Sequence, residues 1–431
     1  MAVDTILLAF LGTLLLLYAI GVPIAIALGA TSVFVMLLPI GPSFNPGIIS
    51  NQLLHGLNSF VMLAVPFYLM LGRLMNRTGM TENVFEFANS LVGQFRSGIA
   101  QVNILASLIF SGMSGLAVAD AAGLGRVEYT SMREYDYDKS TAIGVTGTSS
   151  IIGPIIPPSV PIILFAVLAQ ESIGSLFLAG IIPGVLLALF LSLFVYAVVL
   201  KNGPGKTGSF DFGECYRSFV SALPALAIPI FIIAGITTGM FTPTEAGALA
   251  VLYTLLLGFV NGDLTPGSMV KEFRGGMVET FAILFIIGIA MLYGLVALQL
   301  GIPTLLAETV LATTTNQTAV LFLFVGLFLL LGTFMSITAT IMIMTPIVMP
   351  VIQQVGIDPI HFGIVMILTL MLGVVTPPLG SVLFVLEKVT DATLKEVMKA
   401  VIPYYIPILL VVLLIVFFPD LTTWIPYNLA G

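Results

Sequence analysis

Two six-residue stretches, Gly153-Pro154-Ile155-Ile156-Pro157-Pro158 and Gly373-Val374-Val375-Thr376-Pro377-Pro378, share the form G-x-x-x-P-P. A proline pair removes two N–H donors and clashes with the preceding turn, so a helix cannot run through it. The carbonyls this releases cannot stay bare in hydrocarbon. Such backbone persists where protein buries it or where it coordinates something. Unwound carbonyls together with Ser and Thr hydroxyls suit a hard monovalent cation such as Na⁺. One such motif is most simply a kink that shapes a helix. Two at matched positions ask for more: Gly112 to Gly153 is 41 residues, Gly332 to Gly373 is also 41, and the shared offset of 220 is close to half of a 431-residue chain.

The elements that must position these motifs follow from composition. The chain is 58% hydrophobic and 8% charged, whereas a soluble domain carries about 25% charged residues. This predicts an all-α polytopic membrane protein. Net charge is −7 and the basic residues are few, which excludes nucleic acid as a partner. The one cysteine, Cys215, excludes an internal disulfide framework. Met1 to Asp4 has no basic residue, so the first apolar stretch reads as a retained span. No polar stretch is long enough for a soluble domain, so any domain that captures substrate or hydrolyses nucleotide belongs to another chain.

All fourteen Lys and Arg residues fit on one face of a membrane. They fall in five groups: Arg73, Arg77 and Arg96; Arg126, Arg133 and Lys139; Lys201, Lys206 and Arg217; Lys271 and Arg274; Lys388, Lys395 and Lys399. Short loops rich in Lys and Arg stay cytoplasmic. Residues 5–38 hold two spans broken near Gly21 and Pro23, and 39–57 read as an outside loop. A span near 58–76 ends at basic residues, which puts the N-terminus outside. Residues 97–125 lie between Arg96 and Arg126, too long for one span and too short for two. A re-entrant hairpin with its tip at Ser111-Gly112-Met113-Ser114-Gly115 keeps both arginines inside. Spans 141–168, 176–200, 218–240, 246–260 and 278–300 follow, with 170–175 outside. The loops 301–316 and 353–360 carry no Lys or Arg. If 361–386 crosses inward to Lys388, then 317–352 is a second hairpin, opening outside, with its tip near Gly332 to Thr340. A last span, 401–418, leaves the C-terminus outside. Hairpins opening on opposite faces are the mark of inverted-topology repeats.

Single residues have plainer readings. Thr242-Pro243-Thr244-Glu245 fits a capping box with Pro at N1. Asp120 is the one acid well inside a predicted hairpin, either lining a cavity or pairing with Arg126. His55 and His361 read as solvated loop residues. Gly112-Met113-Ser114-Gly115 matches the GxSG of rhomboid-type intramembrane proteases. That enzyme needs an intramembrane histidine as base, and neither histidine is predicted in a span. With few buried titratable groups, Na⁺ coupling is favoured over H⁺. An organic anion would be held by helix N-termini and by Ser, Thr and Asn donors at the hairpin tips. Asp120, Ser149, Ser150, Ser336 and Thr338 are the candidate cavity residues.

Five stretches carry a resemblance to a known family: FSGMSG at 110–115, GTSSIIGPIIPPS at 147–159, FTPTEAGA at 241–248, GTFMSITATIMIMTPIVMP at 332–350 and GVVTPPLG at 373–380. Over nearly its whole length the chain resembles the large membrane subunit of tripartite ATP-independent periplasmic (TRAP) transporters. The resemblance implies a non-enzymatic, Na⁺-coupled uptake of organic acids by an elevator mechanism, across the inner (cytoplasmic) membrane of a bacterium or archaeon. It also implies a small four-helix membrane partner and an extracytoplasmic substrate-binding protein. Two sodium sites map by resemblance onto the motif pairs: Ser111, Ser114, Gly153, Ile156 and Pro158 for the first, Gly332, Gly373, Thr376 and Leu379 for the second. The expected organisation is a scaffold of residues 1–95 and 205–315, and a mobile transport domain of 96–204 and 316–431, each half giving one hairpin and one broken helix. A stand-alone Na⁺/carboxylate symporter of related hairpin architecture is the alternative. Sialic acid, C4-dicarboxylates, keto acids and sulfonates all stay open as substrates.

Overall fold

A computed structural model describes every residue except 1–7, 39–41, 43, 58–59, 96, 115–116, 203–209, 378 and 430–431. Arg96, Gly115, Lys206, Pro378 and the N-terminal Met1 to Asp4 thus lie outside the described residues. Among those described there are helices and no strand. Eight segments are long and apolar enough to cross a membrane.

A π-helical turn, Leu8–Gly12, leads into α1 (Thr13–Ala19). Gly21, at φ 84°, and Pro23 then separate α1 from α2 (Ile24–Leu37), as the sequence predicts. Next come α3 (Pro46–Leu57), α4 (Ala64–Arg77) and α5 (Met80–Val92). The first hairpin is α6 (Gly98–Ser114) against α7 (Ala117–Ala122) and α8 (Leu124–Glu134). The first broken helix is α9 (Lys139–Ser149), a 3₁₀ turn at Gly153–Ile155, and α10 (Val160–Ala169). Four helices follow: α11 (Ile173–Asn202), α12 (Phe212–Thr237), α13 (Pro243–Val260) and α14 (Pro266–Gln299). After α15 (Ile302–Thr313), the second hairpin is α16 (Gln317–Phe334) and α17 (Ile337–Val355), turning at Met335 and Ser336. The second broken helix is α18 (Pro359–Val374) and α19 (Ser381–Thr390). The chain closes with α20 (Leu394–Val401), α21 (Tyr405–Phe417) and α22 (Asp420–Leu429).

The repeat extends well beyond the motifs, with the offset drifting from 220 to 222 residues. Asp138 and Asp358 are both N-caps, of α9 and α18, and each side chain accepts backbone N–H groups of its own helix. These bonds fill the orphan donors at a helix start. Gln170 and Asp391 end α10 and α19 in the same left-handed conformation, at φ 60° and 47°. Gly79 and Gly301, at φ 67° and 70°, precede α5 and α15. The halves interlock. Helix α10 of the first half packs on α17 of the second, α19 of the second packs on α7 and α8 of the first, and α9 packs on α20. Likewise α2 lies on α14 and α13 on α4. Arg73 of α4 bridges Glu272 at 2.9 Å and Glu279 at 2.6 Å on α14. The large exposed apolar side chains include Leu16, Phe212, Ile230, Val260, Val278 and Phe281. They lie on α1, α12, α13 and α14, as expected for faces covered by lipid or a membrane partner.

Three expectations need correction. The stretches 39–57 and 301–316 are not plain loops, because they carry α3 and α15. Lack of Lys and Arg marks a side of the membrane, not a conformation, and Pro303 in the first turn of α15 presets helical φ. The return arm of the first hairpin does not stop at Gly125. It breaks at Gly123 and continues as a helix to Glu134, carrying Arg126 and Arg133. His361 is no solvated loop residue: it is 2% exposed in the first turn of α18, with Nδ1 2.8 Å from Thr422 Oγ1. The side chain of His55 lies outside the described residues. The Thr242–Glu245 capping box forms as predicted.

Candidate functional site

The two breaks sit where each hairpin meets its own broken helix. In the second half the contact is glycine on glycine: a Cβ built on Gly332 would lie 3.0 Å from Gly373 Cα. Only residues without side chains let α16 and α18 approach this closely. The structure therefore brings together the Gly332 and Gly373 that the sequence pairs. Thr376 lies just beyond, its Oγ1 donating to the Leu372 carbonyl at 2.6 Å. Leu379 is 49% exposed. In the first half, α6 contacts the 3₁₀ turn of the break. The side chains of Ser111 and Ser114 lie outside the described residues.

The breaks differ in how many of their oxygens are already engaged. At the second, Gly373 O accepts from Thr376 N at 2.9 Å, Thr376 O from Gly380 N at 3.2 Å and Val375 O from the Tyr405 hydroxyl at 2.6 Å. At the first, Ile152 O accepts from Ile155 N and Ile156 N, and Pro154 O accepts from Ser159 Oγ. Gly153 opens the 3₁₀ turn, and among the described residues no cap, turn or side-chain donor is directed at the carbonyls of Ile156 or Pro158. The Pro157–Pro158 peptide is cis. Helix α11 covers this break from outside the hairpin: a methyl on Gly180 would lie 2.2 Å from the Ile155 oxygen. A buried, proline-rich turn with uncommitted carbonyls and no charged side chain is a donor set for an alkali cation, not for a transition metal. Among the described residues no cluster of His, Cys, Asp and Glu could hold a metal ion.

One buried polar clamp escaped sequence reasoning. Asn103 on α6 donates to Thr146 Oγ1 at 3.0 Å and accepts from Ser149 Oγ at 2.6 Å, all three fully buried. It fixes the hairpin on α9 four residues before Gly153. No local pattern marks it, since its partners are 43 and 46 residues away. Ser149 is thus committed to the clamp, and Ser150 donates to Gly147 O at 2.9 Å. Ser336 caps α17, accepting from Ala339 N at 3.3 Å, and Thr338 is half-buried in its first turn. Asp120 is buried on α7. Near it Glu128 of α8, 2% exposed, accepts from Ser107 Oγ at 3.1 Å. Sequence reasoning missed Glu128 because the hairpin was taken to end before it.

Comparison with known proteins agrees with this architecture. The chain is 38% identical over 421 residues to the sialic acid TRAP transporter large permease protein SiaM of Vibrio cholerae, covering 97% of this chain and 98% of that one. It is 37% identical over 378 residues to the sialic acid TRAP transporter permease protein SiaT of Haemophilus influenzae, where it spans 61% of the relative's length. The C4-dicarboxylate TRAP transporter large permease protein DctM of Vibrio cholerae is 29% identical over 435 residues, 96% of this chain and 95% of its own. Among solved structures, the YdaH transporter of Alcanivorax borkumensis shares the fold, with a TM-score of 0.62 at 16% identity over 99% of both chains. Residues 11–421 match the family described as tripartite ATP-independent periplasmic transporter, DctM component. The chain is a multi-pass membrane protein that belongs to the large-permease (DctM) family of TRAP transporters.

Proposed function

We propose that the chain carries out Na⁺-coupled uptake of an organic acid, with a small membrane subunit and an extracytoplasmic binding protein as partners. The observation that carries this reading is the meeting of Gly332 and Gly373 at a hairpin tip and a helix break, matched 220 residues earlier by a break at which the carbonyls of Ile156 and Pro158 accept no cap, turn or side-chain bond among the described residues. Ser111, Ser114, Gly153, Ile156 and Pro158 hold one Na⁺; Gly332, Gly373, Thr376 and Leu379 hold a second. Bound Na⁺ supplies the positive charge that offsets the acid's carboxylate. Ser336, Thr338 and the N-terminus of α17 then present donors to that carboxylate, since N–H groups and the helix dipole favour an anion there. Asp120 tunes the first tip. Relatives named for sialic acid and C4-dicarboxylate transport support organic acid as the substrate class.

The repeats are inverted, and both hairpins re-enter the face from which they start. Residues 96–204 and 316–431 move as an elevator against a scaffold of 1–95 and 205–315. The exchange of α10 onto α17 and of α19 onto α7 and α8 supports one mobile body built from both halves. Proteoliposomes test the scheme. Uptake should require an inward Na⁺ gradient, the binding protein and the small subunit. Uptake indifferent to Na⁺ would sink the coupling, and uptake by this chain alone would favour the stand-alone symporter.

A further inference from the structure

A cleft of about 320 Å³ opens between α3 and α14 on one side and α10 and α17 on the other. It is far along the chain from both hairpin tips: Gln353 is seventeen residues beyond the Ser336 cap of α17. Its walls are mostly apolar, including Leu168, Leu295 and Met349, and three glutamines line it, Gln52, Gln170 and Gln353. No Lys, Arg, Asp or Glu lines it. Among the described residues no hydrogen bond is formed by these three side chains, so each offers two N–H donors and an acceptor oxygen.

The backbone adds a further acceptor. Pro346 and Pro350 stand one turn apart inside α17. Pro350 has no N–H for the Pro346 carbonyl, which therefore lacks its intrahelical donor. Gly294 closes the floor, since a methyl there would lie 2.8 Å from Pro346 Cβ. The three glutamines also come from three segments that the basic residues independently assign to one side: 39–57, 170–175 and the end of the second hairpin next to 353–360. Each is free of Lys and Arg. The cleft therefore faces outside, and it lies between the proposed scaffold and the proposed mobile body.

We propose that this cleft is an outer vestibule that binds a hydroxylated carboxylic acid before it reaches the hairpin tips. The chemistry selects this class. A site with no cation cannot hold a bare anion by charge, whereas carboxamides donate to a carboxylate and accept from hydroxyls in the same pose. The volume is that of a small-molecule pocket. A non-hydroxylated acid of equal charge leaves the acceptors of Gln170, Gln353 and Pro346 unpaired on desolvation, which discriminates against it. The proposal rests on the reading of the chain as an organic-acid permease.

The test reads binding, not transport. In a Cys215→Ser background, Leu298→Cys, on an exposed wall of the cleft, and, as a control, Gln354→Cys are labelled in right-side-out membrane vesicles with a charged, membrane-impermeant methanethiosulfonate. Both positions are exposed, and Gln354 does not line the cleft. Matched probes are L-malate against succinate and gluconate against hexanoate. The expected result is that at least one hydroxylated acid slows labelling at position 298 about fivefold or more, roughly 1 kcal/mol of occupancy. Its deoxy partner should change the rate less than about twofold, and position 354 should be unaffected. Equal protection by both members of each pair, protection by none of the four acids, protection at 354 as well, or labelling only in inverted vesicles would each overturn the vestibule. A failure of Na⁺ coupling in the uptake assay leaves these rates unchanged, so the two readings fail separately.

Discussion

Gly332 and Gly373 meet backbone to backbone, so closely that a Cβ built on Gly373 would lie 2.6 Å from Gly332 Cα. Neither partner can yield, because each contact atom belongs to a helix main chain. Gly373→Ala is expected to destabilise by about 1–3 kcal/mol, the cost of overpacking a tight contact, and to abolish Na⁺-dependent uptake. Gly326, on the same α16, has open space around it, so Gly326→Ala should keep both the melting temperature and uptake. Equal behaviour of the two variants in thermal melting would count against the close approach.

The Asn103 clamp makes a separable prediction. Asn103→Leu keeps the branching of the side chain but removes the donor to Thr146 Oγ1 and the acceptor of Ser149 Oγ, at a cost of about 1–3 kcal/mol. If the clamp sets the register between α6 and the first break, half-saturation by Na⁺ should also rise severalfold. Gln101→Leu, which loses a 3.0 Å bond to the Ser192 carbonyl of α11 instead, should lose stability with little change in Na⁺ dependence. A matching shift in both would leave Asn103 a purely structural residue.

Thr376 offers the simplest ligand test. Its hydroxyl already donates to Leu372 O, which leaves its lone pairs free to face a cation. Thr376→Ala should raise the Na⁺ concentration for half-maximal uptake, and Thr376→Ser should restore it. An unchanged Na⁺ curve in the alanine variant would remove this oxygen from the site.

Re-entry of the first hairpin has a direct test. Phe95 is exposed just before α6 and Lys139 starts α9. Single cysteines at these two positions should react from the same face of the membrane, and one at Gln170 from the opposite face. Reaction of the Phe95 and Lys139 positions from opposite faces would make the hairpin a crossing.

Alkaline pH probes the C-terminal helix. The Tyr427 hydroxyl donates to Asp358 Oδ2 at 2.5 Å. That bond, followed by burial and by the charges of Asp358 and Glu171, pushes the phenol up to about 12. A group raised in the folded state stabilises in full below its unfolded pKa, near 10, and loses that contribution as pH rises through the folded value. The melting temperature should therefore fall between about pH 10 and 12 by more in the parent than in Tyr427→Phe. Parallel curves would mean that the bond contributes nothing.

The features legible in the sequence were those written locally. Proline pairs and glycines marked both breaks and the turn at Met335 and Ser336 because backbone geometry follows from those residues alone. The 220-residue offset was legible from four glycines, and the structure extends it to residues the motifs never touched, such as Asp138 with Asp358. What stayed hidden depends on distant partners. His361 looked like a loop residue because its partner, Thr422, is 61 positions away. Helix α15 was obscured because the absence of positive charge was read as the absence of structure. The return arm was cut short because Arg126 and Arg133 were taken to end it, although they ride on the polar side of α8, whose Glu128 and Met132 face inward. The helix breaks at Gly153 and Gly373 were legible in the sequence, while the Asn103 clamp beside the first break was not.

The interlocking of the halves also constrains how the chain is made. Val160 and Ile337, the first residues of α10 and α17, are 177 positions apart. At ordinary synthesis rates that gap lasts roughly 10–35 s. Throughout it α10, almost wholly apolar and buried in the finished fold, has left the ribosome without the helix it packs on. The insertion machinery, lipid or the forming bundle itself must cover that face until the second hairpin arrives. A nascent chain released before residue 337 is therefore a natural target for membrane quality control.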